Sequence, residues 1–260
     1  MKILVCIKQV PDTADIQWTK NNTLKRDGIE SIINPFDEYA LETALKIKDS
    51  IPTSEITALS MGPKQAESSL KEALALECDK AILLSDKKFS AADTVATSTT
   101  ISSAIKKFLS DTDLIICGQF ATDGDTAQTG VGIAEKLKLP QATYVRKILE
   151  IDETSITVEK EGEYGIAVLK LRLPALICVQ KCDFELRRAK INGYIFAHET
   201  KVEEISLEKL GMDENLAGMK GSPTYVSKAF RPETSHNVQF VEIHQAAEII
   251  SEIKKELDNE

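Results

Sequence analysis

Short apolar runs alternate along this chain with longer stretches whose apolar residues recur at helical spacing. ILVCI (3–7), EITALS (55–60), KAILLS (80–85), LIICG (114–118) and ALICVQ (175–180) are apolar through their centres, whichever way a side chain points. Strands of that kind need cover on both faces, as in parallel sheets. The segments between them supply the cover. In NPFDEYALETALKIKDS (34–50), Leu41, Ala44 and Leu45 share a helical face. Asn34 suits the N-cap, Pro35 the first helical position, and Asp37 and Glu38 the positive end of the helix dipole. Ala66, Leu70, Ala73 and Leu74 form a second stripe. A third helix begins near Asp93, and a fourth begins near Thr126 and stops before Pro140. This order predicts an α/β domain on a doubly wound, mostly parallel sheet. Right-handed crossovers then put every strand-to-helix loop on one edge, where ligands bind.

The pattern changes near residue 141. ATYVRKILEI, SITVEKEG and YGIAVLKLRL read as antiparallel strands with turns at Asp152-Glu153 and Glu161-Gly162. Residues 181–235 read as irregular. A last amphipathic helix is expected at about 238–258, with Val238, Val241, Ile249, Ile250 and Ile253 apolar. This tail is too poor in apolar residues for a core of its own, so another surface, most economically a partner chain's, is expected to take it.

Composition narrows the function classes. With 32 basic and 41 acidic residues the net charge is −9, which lacks the basic footprint that displaces counterions from nucleic acid. No apolar run approaches the roughly 18–20 residues that span a bilayer, and a cytoplasmic protein is expected. Cys6, Cys117 and Cys178 each lie inside an apolar run, where reduced buried thiols are common.

Familiar catalytic motifs are missing. His198, His236 and His244 form no zinc-type pair, no GxxxxGK[ST] occurs, and Gly130-Val131-Gly132 does not complete a GxGxxG. Cys178 and Cys182 lack a second pair and read as structural. No nucleophile–base pair stands out, so no catalytic residue is assigned.

The informative segment is GQFATDGDTAQTGVG (118–132), which leaves a buried strand and opens a helix. Small hydroxyls, amides and carboxylates alternate there with glycine. Exposed backbone N–H groups and the helix dipole make such a turn a natural phosphate seat. Gly130 and Gly132 would let a ligand or a strand approach the backbone. Asp123 and Asp125 argue against a bare phosphate pocket, and either could cap the helix or bind a ribose hydroxyl. A capped turn without any ligand satisfies the same residues.

A second cluster is ADTVATS (92–98). Asp93 can cap the helix, and Thr94 and Thr97 share a face of its first turn. Threonine is not a favoured helix-interior residue, so two of them at the ligand edge suggest hydrogen bonds to a ligand, or else local capping. A third cluster is LRRAKI (186–191), followed by NGYIF (192–196). It can dock a partner or pack as a solvated loop on its own domain.

ILVCIKQVPDT, NPFDEYALETALKIK, DGDTAQTGVG and LKLRLPALICVQ, in this order and spacing, resemble the small (β) subunit of electron-transfer flavoprotein nearly end to end. The resemblance implies a flavodoxin-like, adenine-nucleotide-binding α/β domain over residues 1–200, with a docking loop at about 183–200. Residues 201–260 would be an extension whose helix packs on the large subunit. In simple carriers of the family the small subunit holds a structural AMP. In electron-bifurcating members that site holds a second FAD, which takes hydride from NADH and sends electrons along two routes. The nucleotide site would be carried by Cys6, by Asn34, Phe36 and Asp37, by Met61, and by Asp123, Gly124, Asp125, Thr126, Gln128, Thr129, Gly130 and Ala134.

The segment Asp93–Ser98 resembles the bifurcating type, which would set Thr94 and Thr97 against the second FAD. Glu185, Arg187, Arg188 and Ile191 would dock a partner flavin dehydrogenase. The family's usual Glu-Pro-Arg-Tyr is here Glu185-Leu186-Arg187-Arg188, and the basic end is diluted to Phe196–Thr200. That departure puts an acyl-CoA dehydrogenase partner in doubt and leaves room for a 2-hydroxy-acid dehydrogenase. The low-potential acceptor would be ferredoxin or flavodoxin. The alternatives are an AMP-holding carrier without chemistry, and a stand-alone ATP-binding domain of the universal-stress type.

Overall fold

The structure is a computed structural model that describes residues 1–12, 17–18, 24–25, 31–227 and 242–257. In chain order its strands are β1 (Lys2–Cys6), β2 (Gln9–Pro11), β3 (Gln17–Trp18), β4 (Leu24–Lys25), β5 (Ser31–Ile33), β6 (Glu55–Met61), β7 (Lys80–Leu84), β8 (Leu114–Gly118), β9 (Gln141–Ile151), β10 (Ser155–Gly162), β11 (Gly165–Arg172), β12 (Ala175–Val179) and β13 (Glu203–Ile205). The α-helices are α1 (Pro35–Ser50), α2 (Glu67–Ala75), α3 (Thr94–Phe108), α4 (Thr129–Leu137), α5 (Ile191–Glu199), α6 (Leu207–Leu210) and α7 (Ala246–Leu257).

Nine strands form one sheet in the order β11-β10-β9-β12-β8-β1-β6-β7-β13. From β9 to β13 every neighbouring pair is parallel, and β10 and β11 join antiparallel at the far end. The doubly wound α/β architecture expected from the sequence is therefore present. Side chains alternate between two cores. Ile3, Val5, Leu114 and Ile116 pack with Leu41 and Leu45 of α1 and Leu70 and Leu74 of α2. Leu4, Ile115 and Cys117 pack on the other face with Ile101 and Ile105 of α3 and Ile133 of α4. The runs are apolar throughout because both faces are covered.

Several local expectations change. The β10–β11 turn comes two residues later than Glu161-Gly162, because Gly162 pairs with Gly165 across it. Helix α4 starts at Thr129 rather than near Thr126, since Asp125 and Ala127 both have φ of +54° and cannot continue a right-handed helix. Residues 181–235 are not all irregular. They contain α5, which packs on α2, and β13, which pairs parallel with β7 just beyond residue 200. Helix α5 hid in the sequence because Ile191, Tyr194, Ile195 and Phe196 are all exposed and form no buried stripe. Gly193 lies in it because a Cβ there would come within 2.1 Å of the Ala75 carbonyl oxygen. Residues 238–241 of the expected last helix lie outside the described residues, and its described part runs from Ala246 to Leu257.

Helix α4 sits unusually close to the sheet. A Cβ on Gly130 would fall 2.4 Å from the Cys178 sulfur of β12. At Gly130 the close neighbour is thus a strand. At Gly132 it is helix α3, where a Cβ would meet Ser98 Oγ at 2.8 Å. Gly130→Ala is expected to lower stability by about 1–3 kcal/mol through overpacking. Gly124, with nothing within 4 Å of an added Cβ, serves as control. Gly124→Ala should stay within about 1 kcal/mol of wild type. Thermal unfolding of the two variants checks the contrast.

Candidate functional site at the switch between β1 and β8

The chain leaves β1 through α1 toward β6 and β7, and only then crosses back to β8 on β1's other side. That reversal makes the carboxyl ends of β1 and β8 the switch point of the sheet, and the crevice expected beyond such a point is the usual place for a ligand. One carboxylate organises it. The buried Asp37, in the first turn of α1, accepts the Lys8 N–H through Oδ2 at 2.8 Å and the Gly118 N–H through Oδ1 at 3.1 Å. The approach requires Gly118, because a Cβ there would lie 2.2 Å from Asp37 Oδ1. Burial pushes the Asp37 carboxyl up to about 7, against the pull of the Lys8 N–H, the Asn34 side chain, the Gly118 N–H and the Lys8 charge.

Asn34 stands at the N-cap of α1 but makes no capping bond with its side chain. Instead it clamps the loop after β8. Its Nδ2 donates to the Phe120 carbonyl at 2.9 Å, and its Oδ1 accepts the Thr122 N–H at 3.1 Å. Phe36 packs on Phe120 with ring centroids 4.1 Å apart. Lys8 Nζ reaches both oxygens of Asp123, at 2.6 and 2.7 Å. An exposed ion pair contributes roughly 0–1 kcal/mol, so the buried bonds of Asn34 and Asp37 dominate the loop's placement.

This loop ends in an open helix terminus. Ala127 is left-handed and Gln128, the N-cap of α4, is right-handed with no side-chain cap. Successive residues of opposite hand turn their N–H groups inward as an anion-binding nest. With the free first turn of α4 they form a ready phosphate seat. Gly124, Asp125, Thr126 and Gln128 are exposed around it, and Thr129 is half-buried.

The structure therefore gathers Asn34, Phe36, Asp37 and the loop carrying residues 123–129 at the switch point. Cys6 ends β1 beside Cys117 of β8, and Met61 ends the neighbouring β6. Gly130 and Ala134 are buried on the inner side of α4. Sequence reasoning missed Lys8 and Phe120. Lys8 had one available signal, as the first charge after the buried run ILVCI.

At the start of α3, Asp93 is the N-cap, and its Oδ1 accepts the N–H groups of Val95 and Ala96 at 2.9 and 3.0 Å. Burial raises its carboxyl, but the Ala96 N–H, the two donors of Thr224 and the Val95 N–H outweigh this and hold it below the usual carboxylate range. Ser98, Thr99, Thr100, Ser102 and Ser103 all donate their hydroxyls to carbonyls of the preceding helical turn. Thr94 and Thr97 differ: they are half-buried, and among the described residues their hydroxyls meet no hydrogen-bond partner.

The third cluster divides. Arg187 turns inward, with Nε 2.9 Å from the buried Glu42 and Nη2 2.6 Å from Asp49, both on α1. Glu185 and Arg188 are exposed, and Ile191 is 79% exposed beside Tyr194 and Ile195. Among the described residues there is no group of three or more His, Cys, Asp or Glu that could hold a metal ion. No helix among them is long and apolar enough to cross a membrane.

Comparison with known proteins adds a family. The model of the electron transfer flavoprotein domain matches residues 21–209. The chain is 43% identical over 238 residues to the electron transfer flavoprotein subunit beta of Megasphaera elsdenii, covering 89% of this chain and 88% of the relative. It is 41% identical over 266 residues to protein FixA of Azorhizobium caulinodans, covering 98% and 94%. It is 42% identical over 234 residues to the caffeyl-CoA reductase-Etf complex subunit CarD of Acetobacterium woodii, covering 89% and 88%.

Asp37 makes a pH prediction. Its folded carboxyl sits near 7, above the ordinary 3.8, so between these values the folded state holds more protons than the unfolded one. The Asp37 contribution to stability is therefore fully present below about pH 4 and declines as pH rises toward 7. Asp37→Asn removes this term and leaves a backbone N–H facing an amide NH2, a cost of about 1–3 kcal/mol. Denaturant unfolding of both proteins from pH 4 to 8 should show the wild-type advantage shrinking with rising pH. A constant or growing gap contradicts the prediction.

Proposed function

The chain belongs to the electron transfer flavoprotein family as a small, β-type subunit, and from that membership we propose that it is the small subunit of a bifurcating complex, holding FAD at the β1–β8 crevice. The pair of unpartnered hydroxyls, Thr94 and Thr97, is the observation that carries this reading. A structural AMP needs only a phosphate seat and a nucleoside site. It leaves no task for two free hydroxyls on the first turn of α3, next to α4. A flavin ring, with its carbonyls and ring nitrogens, is a suitable partner for them.

When bound, FAD supplies what no side chain here can: acceptance of hydride from NADH and release of the two electrons one at a time. The protein's part is placement. The nest at Ala127–Gln128 and the first turn of α4 hold phosphate. Asp125, and Asp123 from its pair with Lys8, would accept from ribose hydroxyls. Asn34, Phe36 and Asp37 keep the loop pressed to the crevice, with Cys6 and Met61 forming its floor. Thr94 and Thr97 orient the ring and tune its electronics by hydrogen bonding. This division of labour accounts for a site without an acid–base triad.

Membership in the family implies a heterodimer with the large subunit. In our reading the complex would serve a partner flavin dehydrogenase through the FAD of the large subunit, and a low-potential acceptor, ferredoxin or flavodoxin, through the FAD proposed for this chain. CarD carries a caffeyl-CoA reductase complex in its name, which favours an acyl-CoA type of partner over a 2-hydroxy-acid one. The exposed Glu185, Arg188 and Ile191 would meet that partner, and Arg187 would fix the loop to α1. Residues 201–260 would extend the domain of residues 1–200 toward the large subunit.

Acid release of nucleotides from the purified heterodimer tests the reading. Two FAD and no AMP are expected, and one FAD with one AMP overturns it. In the complex, Thr94→Val with Thr97→Val should lower FAD content or NADH oxidation about tenfold or more, if each hydroxyl contributes one ordinary hydrogen bond. Unchanged flavin content and NADH rate would count against a ring-facing role.

A further inference from the structure

Helix α3 is fastened at its N-terminal end by a distant part of the chain. After α6 the backbone crosses back over the loop that follows β7. Gly218, at φ +51°, fits so tightly there that a Cβ would lie 2.1 Å from the Lys88 carbonyl oxygen. The Met219 N–H then donates to the Ser90 carbonyl at 3.1 Å. Three residues on, the strap reaches Asp93. The Asp93 N–H donates to Ser222 Oγ at 2.8 Å, and Ser222 Oγ donates to the Gly218 carbonyl at 2.7 Å. Thr224 donates both its N–H and its Oγ1 to Asp93 Oδ2, at 3.0 and 2.8 Å.

The two oxygens of Asp93 thus have separate tasks. Oδ1 caps α3, and Oδ2 holds the strap. Bonds from neutral donors to a carboxylate are among the stronger ones a protein makes. The next residue after Asp93 is Thr94, and Thr97 lies one turn further. Any rotation of the first turn of α3 moves both hydroxyls, and the strap opposes that rotation from outside the helix. Its other side carries Met219, Tyr225 and Val226, which are 65%, 82% and 85% exposed.

We infer that Ser222 and Thr224 are positioning residues of the flavin seat: through Asp93 they set the orientation of Thr94 and Thr97, although neither touches the crevice itself. The inference rests on the proposed FAD at this seat and goes beyond it, since it gives a segment more than 120 residues away in sequence a role in flavin binding. It also explains why the carboxylate at the N-cap of α3 is more than a cap. Serine at this position could cap α3 but could not accept from the strap as well as Asp93 does.

The test uses the intact heterodimer. FAD affinity at the small-subunit seat is measured by equilibrium dialysis, and the flavin environment by visible circular dichroism, for Thr224→Val, Thr224→Ser and Ser222→Ala. Thr224→Val keeps the shape and the backbone donor but loses the hydroxyl. It is expected to weaken FAD binding at this seat about fivefold and to change the circular dichroism of the flavin. Thr224→Ser should restore both. Wild-type affinity, within twofold, and an unchanged spectrum in Thr224→Val would overturn the inference. Should Thr224→Val fail to assemble, Ser222→Ala decides on the same two readouts. A wild-type complex that releases a single FAD removes the seat and the latch together. Two FAD in the wild type with an indifferent Thr224→Val removes the latch alone.

Discussion

The buried carboxylate of Asp37 is the constraint on which the crevice depends. It joins three elements that the fold must hold apart and yet in register: the end of β1, the end of β8 and the first turn of α1. A buried acceptor left without donors costs about 1–3 kcal/mol, so the two N–H groups and the carboxylate fix one another's positions. Gly118 is part of the same arrangement, because any side chain there would occupy the carboxylate's place. Once Asp37 is seated, Asn34 stands three residues away in the right place to hold the loop carrying Asp123 to Gln128. The open first turn of α4 follows from left-handed Ala127 beside right-handed Gln128 at the end of that loop.

The crevice and the strap share one logic. Each uses the side chain of a helix N-cap residue to hold a distant segment. Asn34 gives up its cap to bind the opposite loop, and Asp93 keeps its cap while holding Thr224. Polar side chains at helix starts thus link segments that lie far apart in sequence. Hydroxyls and backbone N–H groups stand there beside the carboxylates of Asp37, Asp93 and Asp123.

Much of the fold was legible in the chain. Runs apolar on both faces demand a covered parallel sheet, and the stripes of α1 and α2 name the cover. Helix α5 was not legible, because it packs through a close backbone approach at Gly193, the single buried Ala197 and the Lys71 bonds to its C-terminal carbonyls rather than through an apolar stripe. The start of α4 was misjudged for a related reason, as nothing in Asp125-Thr126-Ala127 announces left-handed backbone at a non-glycine residue. The segment 118–132 stood out by its composition, whereas Lys8 and Phe120 did not, because single residues carry no pattern.

What the sequence determined by itself is the class of fold, the edge of the sheet where a ligand can sit and the loop most suited to hold it. Periodicity and strand order are local properties, and they suffice for that. What only the tertiary structure decided is which polar groups are already spent. Arg187, a docking residue by composition, is tied to Glu42 and Asp49. Asn34, a cap by position, is a loop clamp. Asp93 is bound to a strap from the far end of the chain, while Thr94 and Thr97 keep their hydroxyls free among the described residues. Hydrogen-bond partners are a matter of three-dimensional distance, and no spacing along one chain records them.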